Sequence, residues 1–218
     1  VRINGRSTPD IHPQKFTSYK LNLTGLETLL AKAPEEFTGL RGGQDLAVSL
    51  PMPDGSYRSF NIFRTKAMED GLAAKYPGLK SFKGFQADDP SVTARIDLGP
   101  FGLHAAIAHE DGLIYIDPFA RPDTEHYISY YTEDHISDLY QNVQLCGFDD
   151  SEVHVMDRPR FGMRSGATEK RMLRVYRLAM ACTGEWGSRR GTVEKALADM
   201  VAMVNRANLI YEKELSIR

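Results

Sequence analysis

The sequence predicts an α+β chain, with a β-rich antiparallel first part followed by the opening of an α/β unit. Three observations predict it. Between 79 and 131, short apolar-alternating runs recur between turn residues, as antiparallel strands do. From 173 the pattern changes to a strand-like run, a turn and a long amphipathic helix. A basic stretch punctuated by Gly and Pro separates the two.

Composition narrows the class. Hydrophobic residues at 42% and charged residues at 26% are those of an ordinary globular protein, with enough apolar material for a core. A net charge of −2 gives no reason to expect nucleic acid or an anionic membrane as partner. No apolar run is long enough to span a bilayer. No leader is visible, but the chain opens at Val1 without a methionine, so the absence of one says little about targeting. Cys146 and Cys182 either form one bridge or remain separate thiols.

Taken in order, residues 1–17 read as a poorly ordered lead-in, with Asn4-Gly5 and Thr8-Pro9-Asp10. The alternation in 19–23 predicts a short strand. The pattern at 24–33 predicts a helix with Leu26, Leu29 and Leu30 inward, closed by Pro34. Residues 46–63 form a hairpin prediction, because Pro51-Met52-Pro53-Asp54-Gly55-Ser56 carries the chemistry of a turn. A short helix is expected over 68–76, stopped by Pro77-Gly78. Strands follow at 79–86, 92–98, 103–109, 113–116 and 127–131, and Asp111-Gly112 is the best tight-hairpin signal among them. Tyr127, Tyr130, Tyr131 and Tyr140 form an aromatic-rich stretch expected in core packing, with packing against the following domain as the alternative.

The closing segment is the most informative. Leu173, Val175 and the run from 178 to 181 predict a buried strand. Val193, Leu197, Met200, Val204, Ala207 and Tyr211 then step by four and three, which places them on one side of a helix with Thr192 as N-cap and Glu194 in the first turn. An extended stretch at 215–217 follows. A strand, a helix and the start of a second strand are an unfinished unit. The apolar side of the helix needs a sheet that is mostly missing, so the chain is expected to be the front portion of something longer.

Two sets of residues carry a family resemblance. The stretches Tyr176-Arg177-Leu178-Ala179-Met180-Ala181-Cys182-Thr183-Gly184-Glu185-Trp186, Gly191-Thr192-Val193 and Asn205-Arg206-Ala207-Asn208-Leu209-Ile210-Tyr211-Glu212 resemble the start of the catalytic domain in bacterial reprolysin-like zinc metallopeptidases, which are metzincins. Ala33-Pro34-Glu35, Leu50-Pro51-Met52-Pro53-Asp54-Gly55 and Tyr115-Ile116-Asp117-Pro118 resemble the pro-region of the same proteins. The resemblance implies a pro-domain over 1–150, a linker over 151–171 and an incomplete metallopeptidase domain over 172–218. It further implies a secreted zymogen that uses zinc and acts on peptide or protein substrates. The partner of this fragment is then the remainder of its own catalytic domain, and the zinc motif H-E-x-x-H-x-x-G-x-x-H lies downstream.

Within that frame, Leu145-Cys146-Gly147 resembles the cysteine switch of metzincin pro-regions. A thiolate is a strong zinc ligand and can fill the coordination position that otherwise holds water. The plainer role for Cys146 is that of a small buried hydrophobe. The linker residues Arg158, Arg160, Arg164, Lys170 and Arg171 are the expected processing region, or simply a solvated connector. His109-Glu110 begins like a zincin motif, but residue 113 is Leu and Asp111-Gly112 breaks the helix, so no catalytic residue is expected in this chain. The rival expectation is a non-enzymatic β-rich binding or adhesion module whose C-terminal helix packs back on it.

Overall fold

Turn chemistry sets the register of the sheet. The computed structural model describes residues 11–37, 46–135 and 172–218. Strands β1 (Thr17–Lys20), β2 (Leu46–Pro51), β3 (Tyr57–Thr65), β4 (Lys80–Gln86), β5 (Thr93–Gly99), β6 (Gly102–His109), β7 (Gly112–Pro118) and β8 (His126–Tyr131) form one antiparallel sheet in the order β1-β8-β7-β6-β5-β4-β3-β2. At the β2–β3 turn, Asp54 accepts hydrogen bonds from the Ser56 backbone N–H (2.8 Å) and hydroxyl (2.6 Å), and Gly55 takes a φ of +88° that favours glycine. The β6–β7 turn centres on Glu110-Asp111, because His109 pairs with Gly112, one residue earlier than the Asp-Gly signal implies.

The sheet curls into a half-barrel. Ser129 on β8 donates to the Pro51 carbonyl (3.0 Å), and Thr17 and Tyr19 on β1 donate to the Pro53 and Met52 carbonyls. The two edges of the sheet therefore meet through side chains rather than through a backbone ladder. Inward-facing Val48, Phe60, Ile62, Phe82, Ile96, Ile107, Ile114, Ile116 and Tyr127 form the core. Helix α1 (Leu23–Leu30), capped by Asn22 accepting from the Gly25 N–H, lays Leu30 fully buried on that core, with Leu26 and Leu29 beside it. Helix α2 (Asp70–Lys75) is shorter than expected and buries no side chain.

The other face of the sheet is covered differently. Helix α3 (Gly184–Arg190) ends at Gly191, whose positive φ closes it. Helix α4 (Val193–Leu215), capped by Thr192 accepting from the Lys195 N–H (3.2 Å), lies across β5 and β6. Ala106, Ala108 and Leu209 form a small apolar cluster there. The strand expected at 173–181 does not form. Arg174 forms a parallel bridge to Ile217, the Tyr176 N–H donates to the Arg218 carbonyl (2.8 Å), and Val175, Tyr176, Leu178 and Met180 stay exposed. The ladder around that bridge is regular: the Arg174 N–H reaches the Ser216 carbonyl (2.9 Å), and the Arg218 N–H reaches the Arg174 carbonyl (2.9 Å). An extended segment, a helix and a second extended segment parallel to the first are the start of a βαβ unit.

Candidate functional site

Side-chain alternation on the central strands decides what meets α4. On β5, Ala94, Ile96 and Leu98 point into the half-barrel, so Arg95 and Asp97 point at the helix. On β6 and β7 the same alternation sends His104, Tyr115 and Asp117 to that side. The helix answers with polar residues. Its buried positions include Asp199, Asn205 and Asn208 beside Ala196, Val201 and Leu209. The expected apolar side is not the buried one: Val193 is 72% and Tyr211 49% exposed, and Leu197, Met200, Val204 and Ala207 are only partly covered. The sheet takes the polar side because its own outward residues are charged and need partners.

Four clusters of charged and polar side chains make up the interface among the described residues. In the first, buried Asp97 accepts from the Ser81 hydroxyl (2.6 Å) and from Asn205 Nδ2, which stands 3.0 Å from each carboxylate oxygen. Burial raises its carboxyl to about 6, against the opposing pull of those donors. In the second, Asp117 meets His104 Nδ1 (2.6 Å), the Tyr130 hydroxyl (2.9 Å) and Arg206. Burial alone would raise this carboxyl, but Arg206, His104 and Tyr130 hold it well below the usual carboxylate range. In the third, Glu212 pairs with Lys83 (2.7 Å), Arg95 and Arg218, and Arg218 also reaches Glu36 (2.8 Å). Burial opposes ionisation of Glu212, but Arg218, Arg95 and Lys83 together bring its carboxyl down to about 2. At the end near α3, Asp199 joins Arg121 (3.1 Å) and Arg190.

One of the sequence stretches that resemble a pro-region sits in this interface, and a second leads into it. Asp117 belongs to Tyr115-Ile116-Asp117-Pro118, and Glu36 follows Ala33-Pro34-Glu35, which pairs with β3 through Glu35 and Arg64. The third stretch, 50–55, closes the half-barrel instead. Sequence reasoning singles out none of Asp97, His104, Asp199 or Glu212 as interface residues. Polar residues at helical spacing, such as Asn205, Asn208 and Glu212, are the signal that could have found them.

The other expected sites lie elsewhere. Cys146 and the linker residues Arg158, Arg160, Arg164, Lys170 and Arg171 fall outside the described residues, as do Tyr140 and His154. Cys182 carries an exposed free thiol. Trp186 is half-buried under the Arg190 guanidinium. Tyr127 is core, whereas Tyr130 faces the helix.

A zinc ion calls for neutral imidazole, thiolate or carboxylate donors. Among the described residues, His109, Glu110 and Asp111 bring ligand atoms within 4.8 Å of one another, a spacing compatible with a cation. Both ring nitrogens of His109 are already engaged within the chain: Arg58 donates to Nε2 (2.6 Å), and Nδ1 lies 3.3 Å from the Asp111 backbone N and 3.2 Å from its carboxylate. The interface clusters are carboxylates already matched with guanidinium, ammonium or amide groups, so what this arrangement does is hold one polypeptide surface against another.

Residues 172–218 match the family model described as Metallo-peptidase family M12B, reprolysin-like. No curated protein and no solved structure matches the chain.

Proposed function

We propose that this chain is the pro-region and the opening strand and helix of a secreted zinc metalloendopeptidase. Residues 1–150 are its pro-domain, 151–171 its processing linker and 172–218 the start of its peptidase domain. One observation carries the reading: in the segment that matches the peptidase family, the helix side held to the half-barrel buries Asp199, Asn205 and Asn208 with Ala196, Val201 and Leu209, while Val193 and Tyr211 on the other side are exposed and the apolar residues between them are only partly covered. The parallel bridge from Arg174 to Ile217 supports a further sheet on the open side, since it sets the direction in which strands would add.

In this reading the half-barrel guides folding of the first helix and covers the domain until the linker is cut. The chain contains no H-E-x-x-H, so the groups that hold zinc belong to the rest of the protein, with Cys146 as an additional ligand in the latent state. Bound zinc supplies Lewis acidity and an activated water for peptide hydrolysis. The residues of this chain contribute positioning, through Asp97, Asp117 and Glu212.

A second reading, a non-enzymatic binding module, draws on the fact that α4 does pack back on the sheet. One experiment separates the two. The protein encoded by the complete reading frame is produced, processed, and assayed for bound zinc and for cleavage of a quenched peptide. Zinc-dependent cleavage is expected, and replacing Cys146 by Ala should raise cleavage before processing. Absence of both zinc and cleavage favours the module; unchanged latency in the Cys146 variant removes that residue from the account.

A further inference from the structure

The charge on Asp97 is placed differently from the others in the interface. Its carboxylate is buried and touches only neutral donors, the Ser81 hydroxyl from β4 and Asn205 Nδ2 from α4. The ionisable groups around it are otherwise committed. Arg206, from α4, pairs with Asp117. His104, directly opposite on β6, turns Nδ1 to Asp117 at 2.6 Å. Asp199, which lines the same cleft from α4, is held by Arg121 and Arg190. No cation is dedicated to Asp97 among the described residues.

Asn205 shows the complementary defect. Its Nδ2 serves both Asp97 oxygens, but its Oδ1 is buried and receives no hydrogen bond. A carboxylate can only accept, so it has nothing to give Oδ1. A carboxylic acid can donate. Acid and amide then exchange two hydrogen bonds after a small rotation, and the orphaned oxygen is satisfied.

We propose that Asp97 is the proton-binding group of the helix–sheet contact, so that α4 is held more tightly to the half-barrel in mild acid than at neutral pH. The inference concerns the contact itself and does not depend on the chemistry of any domain beyond it. The burial-driven rise of the carboxyl to about 6 fits this geometry. A group whose folded value is raised favours the docked state fully below its ordinary value of 3.8, and that contribution is lost as pH rises through about 6. Asp117 and Glu212 act with the opposite sign and only in stronger acid, so they do not mask the effect between pH 4.5 and 7.5.

The test is amide hydrogen exchange on α4 in the whole chain, corrected for intrinsic rates, from pH 4.5 to 7.5. Protection in the wild type should fall by more than about tenfold over that range, because each pH unit between the ordinary and the raised value is worth a factor of about ten in the docking equilibrium. Asp97→Asn, a neutral isostere able to donate to Asn205 Oδ1, should lack this component. The same pH profile in both proteins overturns the proposal. If the variant does not fold, the aspartate carboxyl carbon of Asp97 is titrated by NMR in the wild type; a midpoint near 6 supports the proposal and one below 4.5 overturns it.

Discussion

Asp117 on β7 and Arg206 on α4 form a buried ion pair between residues 89 apart in sequence. The Asp117 side chain is 1% exposed, and it takes hydrogen bonds from His104 and Tyr130 as well. Geometry of this quality is what lets a buried pair repay its desolvation. It also fixes how the helix is rotated, because turning Arg206 away would leave the buried Asp117 carboxylate without its guanidinium partner.

Removing one partner should therefore cost more than removing both. Arg206→Met is expected to destabilise the chain by about 3 kcal/mol, since it strands the Asp117 charge. Combining it with Asp117→Asn should recover part of that loss, with a coupling energy of about 2 kcal/mol. Chemical denaturation of the four proteins in a double-mutant cycle measures it, and additive losses would contradict the pairing.

Glu212 predicts an acid limb. Its carboxyl lies near 2 against an ordinary 4.5, so its contribution is present above 4.5 and is lost as pH falls toward 2. Glu212→Gln should cost about 3 kcal/mol at pH 7. The variant and the wild type should converge on acidification, as read from denaturation midpoints at stepped pH. A constant gap down to pH 2.5 would be the contrary result.

These pairs explain which parts of the fold are legible in the sequence. The hairpins are readable because Pro51 to Ser56, and Glu110 to Gly112, carry turn chemistry in adjacent residues. Helix α4 is readable because its apolar residues are periodic. Its orientation is not, since periodicity marks an apolar side and is silent on which side a polar sheet will take. Asn205 finds Asp97 at a separation of 108 residues, and Glu212 finds Lys83 at 129. No local pattern reports such a match. The apolar run at 173–181 has the composition of a buried strand, whereas the segment is mostly exposed and is joined to 216–218 through Arg174 and Tyr176. Composition sets its character, but burial depends on a covering partner.

Gly102 tests the half-barrel itself. Its φ of +86° favours glycine, and a Cβ there would stand 2.3 Å from the Tyr127 hydroxyl, which accepts from the Leu103 N–H. Gly102→Ala should cost about 2–4 kcal/mol from backbone strain and overpacking. Thermal unfolding measures this, and a loss under about 0.5 kcal/mol would show that the β5–β6 turn is not held as described.

The division of α4 into a side held to the sheet and a side on which Val193 and Tyr211 stay exposed is tested most directly by thiol labelling. Cysteine is placed at Val193 or Tyr211 in a background with Cys146→Ala and Cys182→Ser, in this chain and in the protein encoded by the complete reading frame. The expected result is fast labelling at both positions in the chain and strong protection in the longer protein before processing. Protection already present in the chain alone, or equally fast labelling in both proteins, would contradict the assignment of that side of the helix to a second sheet.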